Sequence, residues 1–395
     1  MSNISMFLQN IPNNFDVFSI LPYDCQRNVT NLCLASQRDC EFDDATLNNH
    51  TANRMTSSVS PFSSRLLLPL LHSPQWAALR TKWAEPIRGF KTANTAASVF
   101  TIRASSTGRK MPRVLITGGT DGIGREAALK LAAEKHEITI SGRDPKKAKD
   151  VIEQCQAKFN NTPRFIQTDL SLASEVVKFA NEVAGEQYDI CILNAGIMNP
   201  KPGRTSEDRE ATMMTNLVSS YMIAHKIMNT RNDESRPLHF VFSTSIFVKF
   251  HNSTPLGLRF FNPQKVSDWQ KSLVPSDVSG PGKYAISKIG LATLSSSISL
   301  ANLPNVTATS VHPGTVYTNI MSNLPARQQF YIKLARPFTT SLSDAGANLV
   351  RAAKNPLPAG KFYLADKPTK LPSFVYSDLS IAAFEEVFEQ FKIRN

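Results

Sequence analysis

Val114-Leu115-Ile116-Thr117-Gly118-Gly119-Thr120-Asp121-Gly122-Ile123-Gly124 is the stretch whose reading decides the fold. A short run of strand formers feeds straight into a glycine-spaced turn. From Arg125 to Lys135 the spacing predicts a helix, with Ile123, Ala127 and Leu131 on one face. Strand, glycine turn and helix make a phosphate-binding unit: Gly118 permits the tight turn, Gly122 lets backbone approach a pyrophosphate, and Gly124 lets helix and strand pack closely. The helix N-terminus supplies N–H groups and the positive end of its dipole. Taken alone, the same glycines fit a turn that ends a strand for conformational reasons, so the surrounding chain has to decide.

Working outward, strand and helix patterns alternate. Glu137–Ser141, Arg164–Thr168, Tyr188–Leu193, His239–Phe242 and Val306–Val311 are predicted strands. Asp144-Pro145 opens a helix with a cap residue and a proline at its first position, and Ala148, Val151, Ile152 and Cys155 mark its buried face. Val176, Phe179, Ala180 and Val183 stripe the next helix, and Ile381, Phe384, Val387, Phe388 and Phe391 one near the end, with Glu385, Glu386 and Glu389 between them. Repeated alternation predicts a Rossmann-type α/β fold, a doubly wound parallel sheet covered by helices on both faces.

The 42% hydrophobic content suffices for a large core. The net charge of +12 would suit nucleic acid, but the cations are scattered singly or in pairs, and no helix-turn-helix, zinc-finger or RNA-recognition pattern accompanies them. The prediction is no nucleic-acid partner, and a basic enzyme that binds an anionic cofactor. Cys25, Cys33, Cys40, Cys155 and Cys191 are too irregular for a disulfide framework or a paired zinc site, so free thiols and no metal are expected. The densest apolar run, Leu66–Leu71, is six residues with a proline inside it, so no transmembrane helix is expected. Residues 1–110 are rich in Asn, Ser and Thr with poor periodicity and are expected to be a low-structure extension before a catalytic domain at 111–395. Between Ala45 and Met111 only Glu85 is acidic while arginines and lysines recur. That composition resembles a transit peptide, although it begins well inside the chain, so both cytoplasmic and mitochondrial locations stay open. A homo-oligomer is compatible with the sequence.

In a doubly wound sheet the ligand lies beyond the carboxyl ends of the strands. The second strand ends in Ser141-Gly142-Arg143. With no acidic residue there to hold a ribose, and a cation instead, NADP(H) is favoured over NAD. Arg125 offers a second cation, and Asp144 is either a ribose carboxylate or, more simply, the helix cap. Asp169, after the third strand, and Asn194-Ala195-Gly196, after the fourth, are either turn formers or cofactor contacts. Tyr284-Ala285-Ile286-Ser287-Lys288 places a phenol and an ammonium four apart, on one helix face. An adjacent cation favours the phenolate, so the pair suits general acid–base work.

These motifs, in this order, resemble the short-chain dehydrogenase/reductase family from about Met111 to about Asp366. The resemblance implies that Thr117, Gly118, Asp121, Gly122, Ile123 and Gly124 form the cofactor turn. It also implies cofactor contacts from Asp169, Leu170, Asn194, Ala195 and Gly196, with Leu193 standing where many members have a second Asn. Pro313, Gly314, Val316 and Thr318 belong to the segment that closes over the nicotinamide. Asn216, Ser245, Tyr284 and Lys288 complete the family's catalytic set, with Ser243 competing for the serine. In these roles Tyr284 exchanges the proton, Ser245 hydrogen-bonds the substrate oxygen, Asn216 supports a relay, and Lys288 lowers the Tyr284 pKa and binds the nicotinamide ribose. The implied activity is hydride transfer between NADP(H) and a small-molecule carbonyl or alcohol. The separation of 39 positions between Ser245 and Tyr284 resembles the longer spacing of the retinol and steroid dehydrogenase branch. The aromatics there, Phe247, Phe250, Phe260, Phe261 and Trp269, make either an apolar lid for a lipophilic substrate or an excursion packed on itself. A catalytically idle cofactor-binding scaffold is the alternative, and the complete catalytic set argues against it.

Overall fold

The computed structural model describes residues 111–198, 203–249, 261–274, 278–316 and 339–393. The extension 1–110, and with it any targeting segment, lies outside the described residues.

Strand β1 (Arg113–Thr117) is buried apart from Arg113, as expected of a strand covered on both faces. It pairs in parallel with β2 (Glu137–Gly142) and β4 (Ile190–Leu193), so that Thr117 lies opposite both Ser141 and Leu193. With β3 (Arg164–Gln167), β5 (Leu238–Ser243), β6 (Val306–His312), β7 (Lys361–Leu364) and β8 (Lys367–Lys370), the sheet order is β3-β2-β1-β4-β5-β6-β7-β8. Seven strands run parallel and β8 is antiparallel to β7. The order reverses between β1 and β4, which opens a crevice at their carboxyl ends.

Alternate residues of β1 face opposite layers. Val114 and Ile116 pack with helices α1 (Gly122–Ala133), α2 (Pro145–Phe159) and α7 (Leu342–Lys354). Leu115 packs with α3 (Ala173–Ala184), α4 (211–229), α6 (Gly280–Leu300) and α9 (Asp378–Phe388). Helix α1 starts at Gly122, inside the turn, and Lys135 lies beyond its end. The α3 stripe is buried as the periodicity predicts, and in α2 only Ile152 departs from the expected buried face, being half-buried.

Asp144 caps α2 by accepting from the backbone N–H groups of Lys146 and Lys147 at 2.9 and 3.4 Å. Asp144→Ala is therefore expected to lower stability by about 1 kcal/mol, read from the urea midpoint; an unchanged midpoint would remove the cap assignment.

Two features depart from the sequence patterns. Glu385, expected on the polar side of α9, is buried, accepting from Ser297 Oγ at 2.7 Å and Tyr221 Oη at 3.1 Å, and burial raises its carboxyl pKa. The Ser245–Tyr284 insertion contains α5 (Val266–Ser272), whose Trp269 is fully buried. Its ring meets Phe261 edge-on at 4.9 Å and Phe384 of α9 at 5.2 Å. Phe261 and Trp269 thus pack on each other and, through Trp269, on the C-terminal helix, whereas Phe247 faces Tyr284, and Phe250 and Phe260 lie outside the described residues. No helix among the described residues is long and apolar enough to cross a membrane. Among the same residues, no cluster of three ligating side chains could hold a metal.

Candidate active site

The glycine turn bridges β1 and α1 at the crevice. Gly118 and Gly122 take φ of +66° and +55°, the left-handed region that other residues adopt with difficulty. A Cβ on Gly124 would lie 2.3 Å from the Gly118 carbonyl oxygen, and one on Gly118 would lie 3.0 Å from Ala195 Cα. Backbone therefore approaches backbone here as closely as it can. Thr117 Oγ1 accepts from the N–H groups of Asn194 (3.0 Å) and Ala195 (3.2 Å), and Asn194 Nδ2 donates back to the Thr117 carbonyl at 3.3 Å. These bonds stitch the ends of β1 and β4 together. Asp121 caps α1 through Gly122 N–H at 2.7 Å, and Ile123 packs half-buried on the core.

At the end of β2, Arg143 is exposed, its side chain 66% accessible, with Asp169 4.0 Å away. Asp169 Oδ1 accepts from Ser171 N–H, so it is a turn residue as well as an ion-pair partner. Leu170 is in the core. Arg125 is committed to Glu126 and Gln154, each at 2.7 Å. Lys147 is the cation that reaches the turn instead, pairing with Asp121 at 2.5 Å. Its position four residues after Arg143, in the first turn of α2, was the sequence signal for it.

On the other side of the crevice, Asn216, Ser245, Tyr284 and Lys288 converge. Asn216 lies in the π-helical segment Met214–Val218 of α4, a local widening that often marks functional sites. A Cβ on Gly196 would lie 3.3 Å from Asn216 Oδ1 and 3.4 Å from Lys288 Nζ, so the Asn194–Gly196 segment and the two side chains share one spot. Lys288 Nζ donates to the Ser243 carbonyl at 2.7 Å and stands 5.4 Å from the centre of the Tyr284 ring. The Ser245 side chain stands beside the Tyr284 phenol and acts to lower its pKa. The two serines are thereby separated: Ser245 presents its side chain to Tyr284, whereas Ser243 contributes a carbonyl to Lys288. Phe247 faces Tyr284 edge-on at 6.1 Å. Pro313 is held by Asn348 Nδ2 on its carbonyl at 2.9 Å, Gly314 follows, Val316 is buried, and Thr318 lies outside the described residues.

The electrostatics reverse one expectation. Burial pushes the Tyr284 phenol up to about 12, with Ser245 pulling against it, and burial lowers the Lys288 ammonium to about 7. Lys288 does not hold the phenol's pKa down in this arrangement. Its ammonium is turned to the Ser243 carbonyl, and the cost of charging a phenol in a dry site dominates. His312, closing β6, is kept neutral by burial and by the Lys288 charge, at about 4.

The cradle fits a dinucleotide: close backbone at the turn, cations beyond β2, and the Tyr284 and Lys288 side chains across the crevice. The short chain dehydrogenase family profile matches residues 112–244. The chain is 27% identical over 242 residues to a short-chain dehydrogenase, chry4, of Gibberella zeae, covering 59% of this chain and 84% of that protein. It is 24% identical over 273 residues to polyprenol dehydrogenase of Homo sapiens, covering 67% and 79%. A solved structure of an uncharacterised protein from Mycobacterium paratuberculosis shares the fold, with a TM-score of 0.52 at 21% identity over 71% of this chain and 92% of that one. Profile, relatives and sheet order all liken residues 112–244, and the fold that carries them, to the short-chain dehydrogenase/reductase family.

Proposed function

We propose that residues 111–395 form an NADP-dependent catalytic domain that interconverts a carbonyl and an alcohol on a lipophilic small molecule, working chiefly as a carbonyl reductase. The observation that carries this reading is Lys288 Nζ 5.4 Å from the centre of the Tyr284 ring, with Ser245 beside the phenol and the glycine turn across the crevice. When bound, NADPH supplies the hydride to the carbonyl carbon. As negative charge grows on the substrate oxygen, Ser245 donates a hydrogen bond to it and Tyr284 gives up its proton. A phenol titrating near 12 is protonated at neutral pH and so holds the proton that reduction consumes. Lys288, anchored to Ser243, places a group that titrates near neutrality beside the site. The lipophilic preference is supported by Phe247 against Tyr284 and by the polyprenol dehydrogenase relative.

NADP over NAD rests on Arg143 after the neutral Ser141-Gly142 pair. Arg143→Ala is expected to weaken NADPH binding about 10-fold and leave NADH unchanged; fluorescence titration with both cofactors checks it, and equal loss for both rules the assignment out. The function itself is tested by following NADPH consumption with retinals, ketosteroids and small aromatic carbonyls. Turnover of the lipophilic members is the expected result, and an enzyme that binds NADPH yet reduces none of them contradicts the reading.

A further inference from the structure

We propose that Ser287 is a positioning residue for proton transfer, its hydroxyl fastening Asn216 to the helical turn that carries Tyr284. The proposal rests on the reading of Tyr284 as proton donor. Ser287 is fully buried between Tyr284 and Lys288 on α6. Its Oγ donates to the Tyr284 carbonyl at 2.7 Å and accepts from Asn216 Nδ2 at 3.0 Å. A serine that only bonds back to the preceding turn is a local feature of many helices. The second bond, to a residue 71 positions away, makes this one a tie between two elements.

Both donor hydrogens of the Asn216 side chain are used by the same arrangement. Its Oδ1 accepts from Ile197 N–H at 2.8 Å, and its two Nδ2 hydrogens go to the Ile197 carbonyl at 3.0 Å and to Ser287. A side chain with no spare donor cannot donate a hydrogen bond to a substrate, so its contribution passes through what it holds. It holds Ile197, directly after the Gly196 that abuts Lys288, and Ser287, directly before Lys288. The chain Ile197–Asn216–Ser287–Tyr284 therefore sets the spacing between the loop after β4 and the proton-donating turn. Alanine at 287 would leave a buried Asn216 N–H without its acceptor and free that spacing.

The test is a double-mutant cycle on the full chain with Ser287→Ala, Asn216→Ala and both together. Ser287→Ala is expected to lower kcat about 10-fold, the size of effect that slight misplacement of a reacting group produces. NADPH binding should be retained, and the double variant should be no slower than the worse single, since the two residues act as one unit. Additive losses, or wild-type kcat in Ser287→Ala, overturn the proposal. Hydrogen exchange by peptide gives a readout that needs no substrate: Ser287→Ala must raise exchange in both 211–218 and 284–288, and Asn216→Ala must give the same pair. Loosening confined to 284–288 also overturns it. If the wild-type chain reduces no carbonyl, the function reading fails on its own and the exchange pattern still decides the role of Ser287.

Discussion

Tyr284→Phe is expected to lower kcat for carbonyl reduction about 10³-fold while NADPH binds as it does to the wild type. The substitution removes one oxygen from a ring whose approaches to Phe247, edge-on, and to Lys288 remain. The glycine turn and its stitch to β4 do not involve the phenol. Proton donation is the function lost, so the effect should fall on kcat and spare the cofactor's Kd. Stopped-flow absorbance of NADPH with any accepted carbonyl measures the first, and fluorescence titration the second. Retained turnover would refute the acid–base role outright.

Lys288→Met should cut turnover about 10²-fold or more and yet make the protein more stable at neutral pH. Lys288 is 2% exposed, with the Ser243 carbonyl at 2.7 Å. Burial depresses its pKa from 10.5 to about 7, so the folded chain binds fewer protons than the unfolded one between those values. The penalty for holding the ammonium in the fold is full below pH 7 and fades as the pH rises through that window, so wild-type stability climbs from about pH 7 towards 10. Above that, Tyr284, whose pKa is raised to about 12, acts in the opposite sense. Methionine removes the Lys288 share of the climb and, at pH 7, should add about 1–4 kcal/mol, the gain seen when buried charged groups give way to packed apolar ones. Lys283, also depressed by burial, leaves part of the slope in place. Urea unfolding of both proteins across this range decides it; a variant with an unchanged slope would mean that Lys288 is not buried as a charge. A reduced slope with a gain in stability would mark Lys288 as a residue that the fold tolerates for its chemistry.

Much of this architecture is legible in the chain because its signals are local. Val114–Thr117 reads as a strand buried on both faces, Asp144-Pro145 as a helix start, and Tyr284 and Lys288 as one helical face, and each depends on neighbours within a few residues. What escaped depends on distant meetings. Ser287 acquires its second bond from α4, Glu385 is covered by Tyr221 and Ser297 from 164 and 88 residues away, and Lys147 finds Asp121 only once β1 and β2 lie side by side. Strand β8, Lys-Pro-Thr-Lys, carries no apolar pattern because it is an exposed edge paired on one side. The Tyr284 phenol is similar: spacing shows that a cation is near, while burial, which raises its pKa, is a property of the whole fold.

Trp269 ties the stretch between Ser245 and Tyr284 to the last helix of the chain through Phe384 and Phe388. In a chimera with a relative, therefore, neither segment is an independent module. A transplanted α5 would arrive without the aromatic socket that seats its tryptophan, and a transplanted C-terminal helix would leave that socket facing the wrong residue. The two segments lie more than a hundred residues apart in the chain, yet they would have to be exchanged together.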